Sequence, residues 1–261
     1  MDNITIVDSH CHLDFPDFTD NQAEFVKRAE ENSVKYMQTI CTHMSKFDQV
    51  LDIANKFDNI FCSVGVHPHE VKDEKVTVEE LIEAASHKKV IAIGETGLDF
   101  FYEHSPRIEQ EESFRIHIEA ARELDIPIII HTRDADDDTI RILNDEMKRG
   151  KFRGLIHCFS TSFDLAQKSM DMGLYISISG IVTFKKSTEL QEMVKKIPLD
   201  MMLVETDSPF LAPVPFRGKP NQPSYTRYVA ECVANLKEIE LKEVADKTTE
   251  NFFNLFNKAY R

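Results

Sequence analysis

The stretch ITIVDSHCHLD, residues 4–14, carries the fold and the chemistry together. Its opening, Ile4 to Asp8, is a short apolar, β-branched run, the pattern of a strand. It passes directly into Asp8-Ser9-His10-Cys11-His12. On an extended chain residues i and i+2 point to the same side, so His10 and His12 can reach one ion together. By itself such a histidine pair is a weak signal, and its meaning depends on what surrounds it.

Runs of the same kind recur along the chain. Strands are expected at Ile4–Asp8, Val34–Ile40, Ile60–Val66, Val90–Glu95, Ile126–His131, Gly154–His157, Leu174–Ile178 and Met201–Glu205. Helical spacing fills the intervals: Asn21–Glu31, Ser45–Phe57, Val78–His87, Pro106–Leu124, Asp134–Met147, Ser162–Met172 and Ser187–Lys196, with two closing helices near Ser224–Leu236 and Glu240–Tyr260. Ser105-Pro106 reads as an N-cap followed by proline at the first helical position. Eight strand–helix alternations predict an α/β fold, a (β/α)8 TIM barrel forming a single domain over 1–261. A doubly wound sheet is the runner-up, but it rarely uses eight strands at this size. No Gly/Ser-rich, Pro-rich or single-charge linker divides the chain. The richest loop, Ser208–Pro223, follows the eighth strand.

Composition narrows the class. The chain has 261 residues, 42% hydrophobic and 29% charged, a soluble globular profile. No apolar run approaches the roughly 18 residues that span a bilayer, so no membrane partner is expected. The start MDNITIVDSH has neither a basic segment nor a long apolar stretch, so no secretory signal is read and a cytoplasmic location is expected. Five scattered cysteines without a CxxC pair argue against zinc-ribbon and thioredoxin-like readings, and Cys158 reads as a core filler. Against 31 Lys and Arg stand 45 Asp and Glu, a formal net charge of −14. That opposes tight, extended duplex binding, which depends on neutralising phosphates.

In a barrel the reactive groups sit at the C-terminal strand ends. Strand one ends in Asp8-Ser9-His10-Cys11-His12, three in His67-Pro68-His69, four in Glu95-Thr96-Gly97-Leu98-Asp99, five in His131-Thr132-Arg133, six in His157, and eight in Glu205-Thr206-Asp207. Six of the ten histidines fall there. Imidazole nitrogen with carboxylate oxygen suits a divalent ion such as Zn or Mn. His10, His12 and Asp207 can hold one ion and His131 with His157 a second, while Glu95, unlike a bland core residue, needs a partner for its buried charge and can bridge the two. Asp207 can also take a proton from a water. Read singly, His131 would be a satisfied core histidine and Asp207 a turn cap; their shared rim favours ligands. His43, His87, His104 and His117 read as surface or packing residues.

The strings DSHCHLD (8–14), VGVHPH (64–69), IGETGLDF (93–100), IIHTRDA (129–135), IHCFS (156–160), ISISG (176–180), LVETDSPFLAP (203–213), RGKPNQP (217–223) and TTENFFNLF (248–256) resemble, in order and over nearly the whole chain, the TatD family of deoxyribonucleases within the amidohydrolase-like barrels. The resemblance implies a first metal site of His10, His12, Glu95 and Asp207 and a second of Glu95, His131 and His157. It places His67 near the scissile phosphate and implies a metal-dependent nuclease, often a 3′→5′ exonuclease on DNA. Phe216 departs from it, standing where tyrosine is familiar. Two divalent ions (Mg, Mn or Zn) would clamp the phosphodiester of a DNA end, with Arg217 and His67 on phosphate oxygens and Arg133 and Lys219 as weaker candidates. The bland alternative for Arg217 is a solvated residue paired with an acid. Two rivals remain: a barrel acting on an amide, lactone or phosphotriester, whose bridging lysine this chain lacks because Lys88 and Lys89 lie at the wrong strand end, and a metal-binding scaffold without catalysis.

Overall fold

The computed structural model describes residues 4–261, so the first three residues of the expected domain lie outside the described residues. Eight strands form one parallel sheet in sequence order: β1 (Ile6–Cys11), β2 (Val34–Thr39), β3 (Ile60–Val64), β4 (Val90–Asp99), β5 (Ile128–Arg133), β6 (Gly154–Ile156), β7 (Tyr175–Ile178) and β8 (Met202–Val204). The first and last strands meet through a parallel bridge, Cys11 to Ser208, and two backbone bonds, Asp207 N to His10 O at 2.9 Å and His12 N to Ser208 O at 2.9 Å. The sheet is thereby closed into the expected (β/α)8 barrel. Helices α1 (Pro16–Thr19), α2 (Gln22–Glu31), α3 (Phe47–Lys56), α4 (Val78–Ala84), α5 (Arg107–Leu124), α6 (Asp136–Arg149), α7 (Phe163–Asp171), α8 (Thr188–Lys196), α9 (Thr226–Lys237) and α10 (Leu241–Leu255) accompany it.

Strand alternation sorts the core into two layers. Ile6 joins the large cluster between sheet and helices, while its neighbour Val7 joins Phe61, Ile91, Ile129, Leu155 and Leu203 in a second cluster that fills the barrel. Phe252, Leu255 and Phe256 pack onto that second cluster and stopper the N-terminal end of the barrel. Lys89 is held at this end, donating to the carbonyls of Phe57, Asp58 and Ile60, far from the reactive rim as its strand position predicts.

Several boundaries move. β1 runs on to Cys11 and β4 to Asp99, beyond their apolar stretches, because both continue to pair with a neighbour at the rim. α10 stops at Leu255, and the chain beyond it covers the barrel floor instead of extending the helix. The Ser105 cap is a correction: α5 starts at Arg107 with Pro106 in the cap position. Ser105 instead donates to His69 O at 2.7 Å and accepts from Lys72 N at 3.1 Å, tying the loop after β3 to the loop after β4. Cys158 also departs from its core-filler reading: it is half-buried at the rim, its Sγ 3.2 Å from Ser179 Oγ.

Candidate metal centre

β1 delivers the first two donors. His10 Nε2 lies 3.3 Å from His12 Nε2 and 3.3 Å from Glu95 Oε2. Asp207 Oδ1 completes the group, 3.6 Å from His10 Nε2 and 3.5 Å from His12 Nε2. Four donors arranged tetrahedrally at ~2.1 Å from one ion stand about 3.4 Å apart, which is the spacing found. Two neutral imidazoles cannot supply enough N–H groups to satisfy two ionised carboxylates and each other, so a cation is what this set lacks. The donor set therefore fits a divalent metal.

Glu95 faces a second group with its other oxygen. Oε1 lies 2.8 Å from His157 Nε2, 3.0 Å from His131 Nδ1 and 3.4 Å from His67 Nε2, and His131 Nδ1 is 3.4 Å from His157 Nε2. One buried carboxylate is thus divided between two imidazole sets. The backbone around it is built for close approach. Gly94 and Gly97 take φ of 130° and 137°, and a Cβ on Gly97 would sit 2.0 Å from the His131 carbonyl oxygen. Only glycine lets β4 press against β5 here.

The imidazoles are aimed by a further layer of acids. Glu205, fully buried, accepts from Cys158 N at 2.7 Å and stands 3.3 Å from His157 Nδ1, which leaves Nε2 directed at Glu95. Asp99 Oδ2 lies 3.2 Å from His131 Nε2 and 2.8 Å from His69 Nε2, so His131 turns Nδ1 inward. Asp99 is itself gripped by α5: Gln110 Oε1 accepts from Asp99 N at 2.7 Å and Gln110 Nε2 donates to Asp99 O at 3.1 Å. Asp8 accepts from Thr206 Oγ1 at 2.6 Å and Thr206 N at 2.9 Å, pinning the end of β8 beside β1. Such acid–imidazole pairs fix tautomer and ring direction at metal sites.

Residues 7–257 match the family model described as TatD related DNase. The chain belongs to that family. It is 44% identical over 255 residues to the metal-dependent hydrolase YcfH of Escherichia coli K12, covering 97% of this chain and 96% of the relative. It is 41% identical over 254 residues to the metal-dependent hydrolase YabD of Bacillus subtilis, covering 96% and 98%. Among solved structures, the TatD homologue YjjV of Escherichia coli K12 superposes with a TM-score of 0.91 at 28% identity, over 98% of this chain and 99% of that one. The protein is a TatD-family metal-dependent hydrolase.

The charges of this TatD-family site are tightly bound to one another. Burial would raise the Glu95 carboxyl, but His157, His67 and His10 outweigh it and hold Glu95 well below the usual range. Burial likewise works against Asp207, yet the His12 hydrogen bond and the charges of His10 and His157 lower it. Burial, with the neighbouring His131 and His69 adding to it, pushes His67 down to about 4 against the pull of Glu95, leaving it a neutral acceptor or donor near neutrality. Burial opposes protonation of His157, but Glu95 and Glu205 raise it well above an ordinary imidazole. Asp8 is pushed by burial up to about 7, even though it accepts hydrogen bonds from Thr206 and from the His10 backbone.

His10, His12, Glu95, His131, His157, Asp207 and His67 all converge. Arg217 does not join them: it is exposed, its guanidinium 3.7 Å from the Phe184 ring centroid, with no acid partner among the described residues. Phe216, where tyrosine was familiar, stacks on Tyr225 at 4.0 Å, so ring packing holds that loop. His117 is a packing residue as expected, accepting from Val66 N at 3.0 Å just ahead of His67. Glu205, Asp99, Asp8 and Gln110 went unassigned at the level of sequence. For Glu205 a signal was present: it sits two residues before Asp207 at the same strand end.

Proposed function

We propose that the protein hydrolyses phosphodiester bonds of DNA, removing nucleotides from a 3′ end with two divalent ions (Mg, Mn or Zn), and that it works in the cytoplasm. The observation that carries this reading is the division of Glu95, with Oε2 3.3 Å from His10 Nε2 and Oε1 2.8 Å from His157 Nε2. A carboxylate shared in this way would hold two divalent ions side by side, and such ion pairs serve phosphoryl chemistry.

His10, His12, Glu95 and Asp207 would hold one ion and Glu95, His131 and His157 the other. Ions bound there would supply Lewis acidity, activating a water and offsetting phosphate charge in a chain of net charge −14. Asp207, its carboxyl held ionised, would receive the proton of the attacking water. His67, neutral and 3.4 Å from Glu95 Oε1, would donate to a non-bridging phosphate oxygen. Arg217 would offer its guanidinium fork to a neighbouring phosphate; its freedom from any acid partner among the described residues supports this over a solvated ion pair. No described helix is long and apolar enough to cross a membrane.

The test is release of nucleotides from 3′- and 5′-labelled oligonucleotides with added Mg or Mn. Wild type should shorten the strand from its 3′ end. Glu95→Ala and Asp207→Asn should each lower kcat by at least a hundredfold. Rates equal to wild type in either variant would overturn the assignment, and turnover of an amide or lactone in place of the oligonucleotide would move the substrate class.

A further inference from the structure

The rim carries large apolar side chains that the hydrolysis above does not use. Phe101 is 54% exposed and Tyr102 50% exposed, both just beyond β4. Aromatic rings held half out of water beside a reaction centre mark a contact surface.

These two rings are part of a built unit. Asp99, whose Oδ2 faces His131 and His69, uses Oδ1 to accept the backbone N–H groups of Phe101 at 3.1 Å and Tyr102 at 3.0 Å. The carboxylate that aims His131 thereby also sets where the rings stand. Arg133 lies two residues beyond His131 on β5 and completes the unit. Its guanidinium carbon is 4.0 Å from the Phe101 centroid and 4.7 Å from the Tyr102 centroid. Arginines of the helical shell are neutralised, as Arg107 is by Glu103 and Arg141 by Glu111. Arg133 has no carboxylate partner among the described residues. The two rings stand edge to face, their centroids 4.8 Å apart at 89°. An uncommitted guanidinium packed against them leaves exposed ring face beside a positive charge, which suits a nucleobase joined to a phosphate.

We propose that Phe101, Tyr102 and Arg133 form a nucleobase subsite, in which an unpaired base stacks on the face of one of these rings with the other against its edge, while Arg133 holds the phosphate beside the one hydrolysed. The inference rests on the phosphodiester reading above. A base inside a duplex has both faces covered, so only an unpaired base can enter. Stacking on an exposed aromatic contributes roughly 5- to 100-fold in affinity per base. Arg133 adds one phosphate contact, which steepens the salt dependence by about one unit of slope.

The experiment uses metal-loaded protein and oligonucleotides carrying 2-aminopurine, or an abasic spacer, at each of the three 3′-terminal positions in turn. Rapid mixing reads 2-aminopurine quenching before turnover, and steady-state assays read KM and kcat. With wild type, one position should quench strongly, and an abasic spacer there should raise KM 5- to 100-fold with kcat nearly unchanged. Phe101→Ala/Tyr102→Ala should abolish that quench and raise KM to the same extent, with no further loss on the abasic strand. Arg133→Ala should raise KM and flatten its salt dependence. Wild-type quenching in the double variant, or equal losses on intact and abasic strands, would overturn the subsite. If oligonucleotides bind and quench as expected but no bond is cut, the nuclease reading fails and the subsite stands. If bonds are cut without quenching at any position, the reverse holds.

Discussion

Replacing Asp99 by asparagine preserves shape and removes one charge at a point where the chain leaves no slack. Oδ2 of Asp99 lies 3.2 Å from His131 Nε2 and 2.8 Å from His69 Nε2, and the side chain is buried. An ionised Asp99 can only accept, so both ring nitrogens facing it donate; His131 holds a proton on Nε2, and Nδ1, 3.0 Å from Glu95 Oε1, is the nitrogen that would offer its lone pair to an ion. In Asp99→Asn the oxygen kept for Phe101 N and Tyr102 N leaves the amide NH2 facing the imidazoles. Donor would then meet donor. His131 escapes by moving its proton to Nδ1, which removes the lone pair from the second donor set. Loss of such an orienting acid costs about 10- to 100-fold in metal affinity, or ~1.4–2.7 kcal/mol at 1.36 kcal/mol per decade. His10, His12 and Asp207 have no hydrogen bond to Asp99, so the first set should keep its affinity. Titration with Zn or Mn against a chromophoric chelator should resolve one unchanged class of site and one weakened class. Unchanged affinity of both classes would refute the tautomer argument, and equal weakening of both would show a general loss of structure, which the thermal midpoint would report independently.

Gly97→Ala places a Cβ 2.0 Å from the His131 carbonyl oxygen at a φ of 137°, so strain and overlap together should cost about 2–6 kcal/mol; urea unfolding measures it, and a loss below 1 kcal/mol would contradict the close approach. His117 is pushed by burial from 6.5 down to about 4, because its Nε2 must stay unprotonated to accept from Val66 N. The unfolded chain therefore takes up this proton first, so about 3 kcal/mol of stability present above pH 6.5 should be lost between pH 6.5 and 4; His117→Gln should flatten that part of the stability profile. Ions at a hundredfold excess over Kd stabilise by about 2.7 kcal/mol per site, so a chelator that strips both ions should lower Tm by roughly 10–20 °C. Glu95→Gln should show almost no chelator effect, and a shift as large as wild type's would place the stabilising ion elsewhere.

Much of the barrel was legible because each strand announces itself locally: an apolar β-branched run followed by a His, Asp or Glu is visible without knowing any contact. Boundaries were less so. β1 and β4 extend past their apolar runs because neighbouring strands go on pairing, and α10 stops at Leu255 because the residues after it seal the barrel floor. Ser105 misled for the same reason: its hydroxyl is used by His69 and Lys72, partners more than thirty positions away.

Sequence alone determined which strand ends bear the donors, since the i, i+2 rule and the βα rhythm place His10, His12, Glu95, His131, His157 and Asp207 on one rim. Tertiary structure alone decided how they are shared. The division of Glu95 between two imidazole sets, the aiming of His157 by Glu205 and of His131 by Asp99, and the grip of Gln110 on Asp99 are long-range pairings. Their physical basis is that a buried acid must find a donor wherever folding brings one, and no local pattern records which donor that will be.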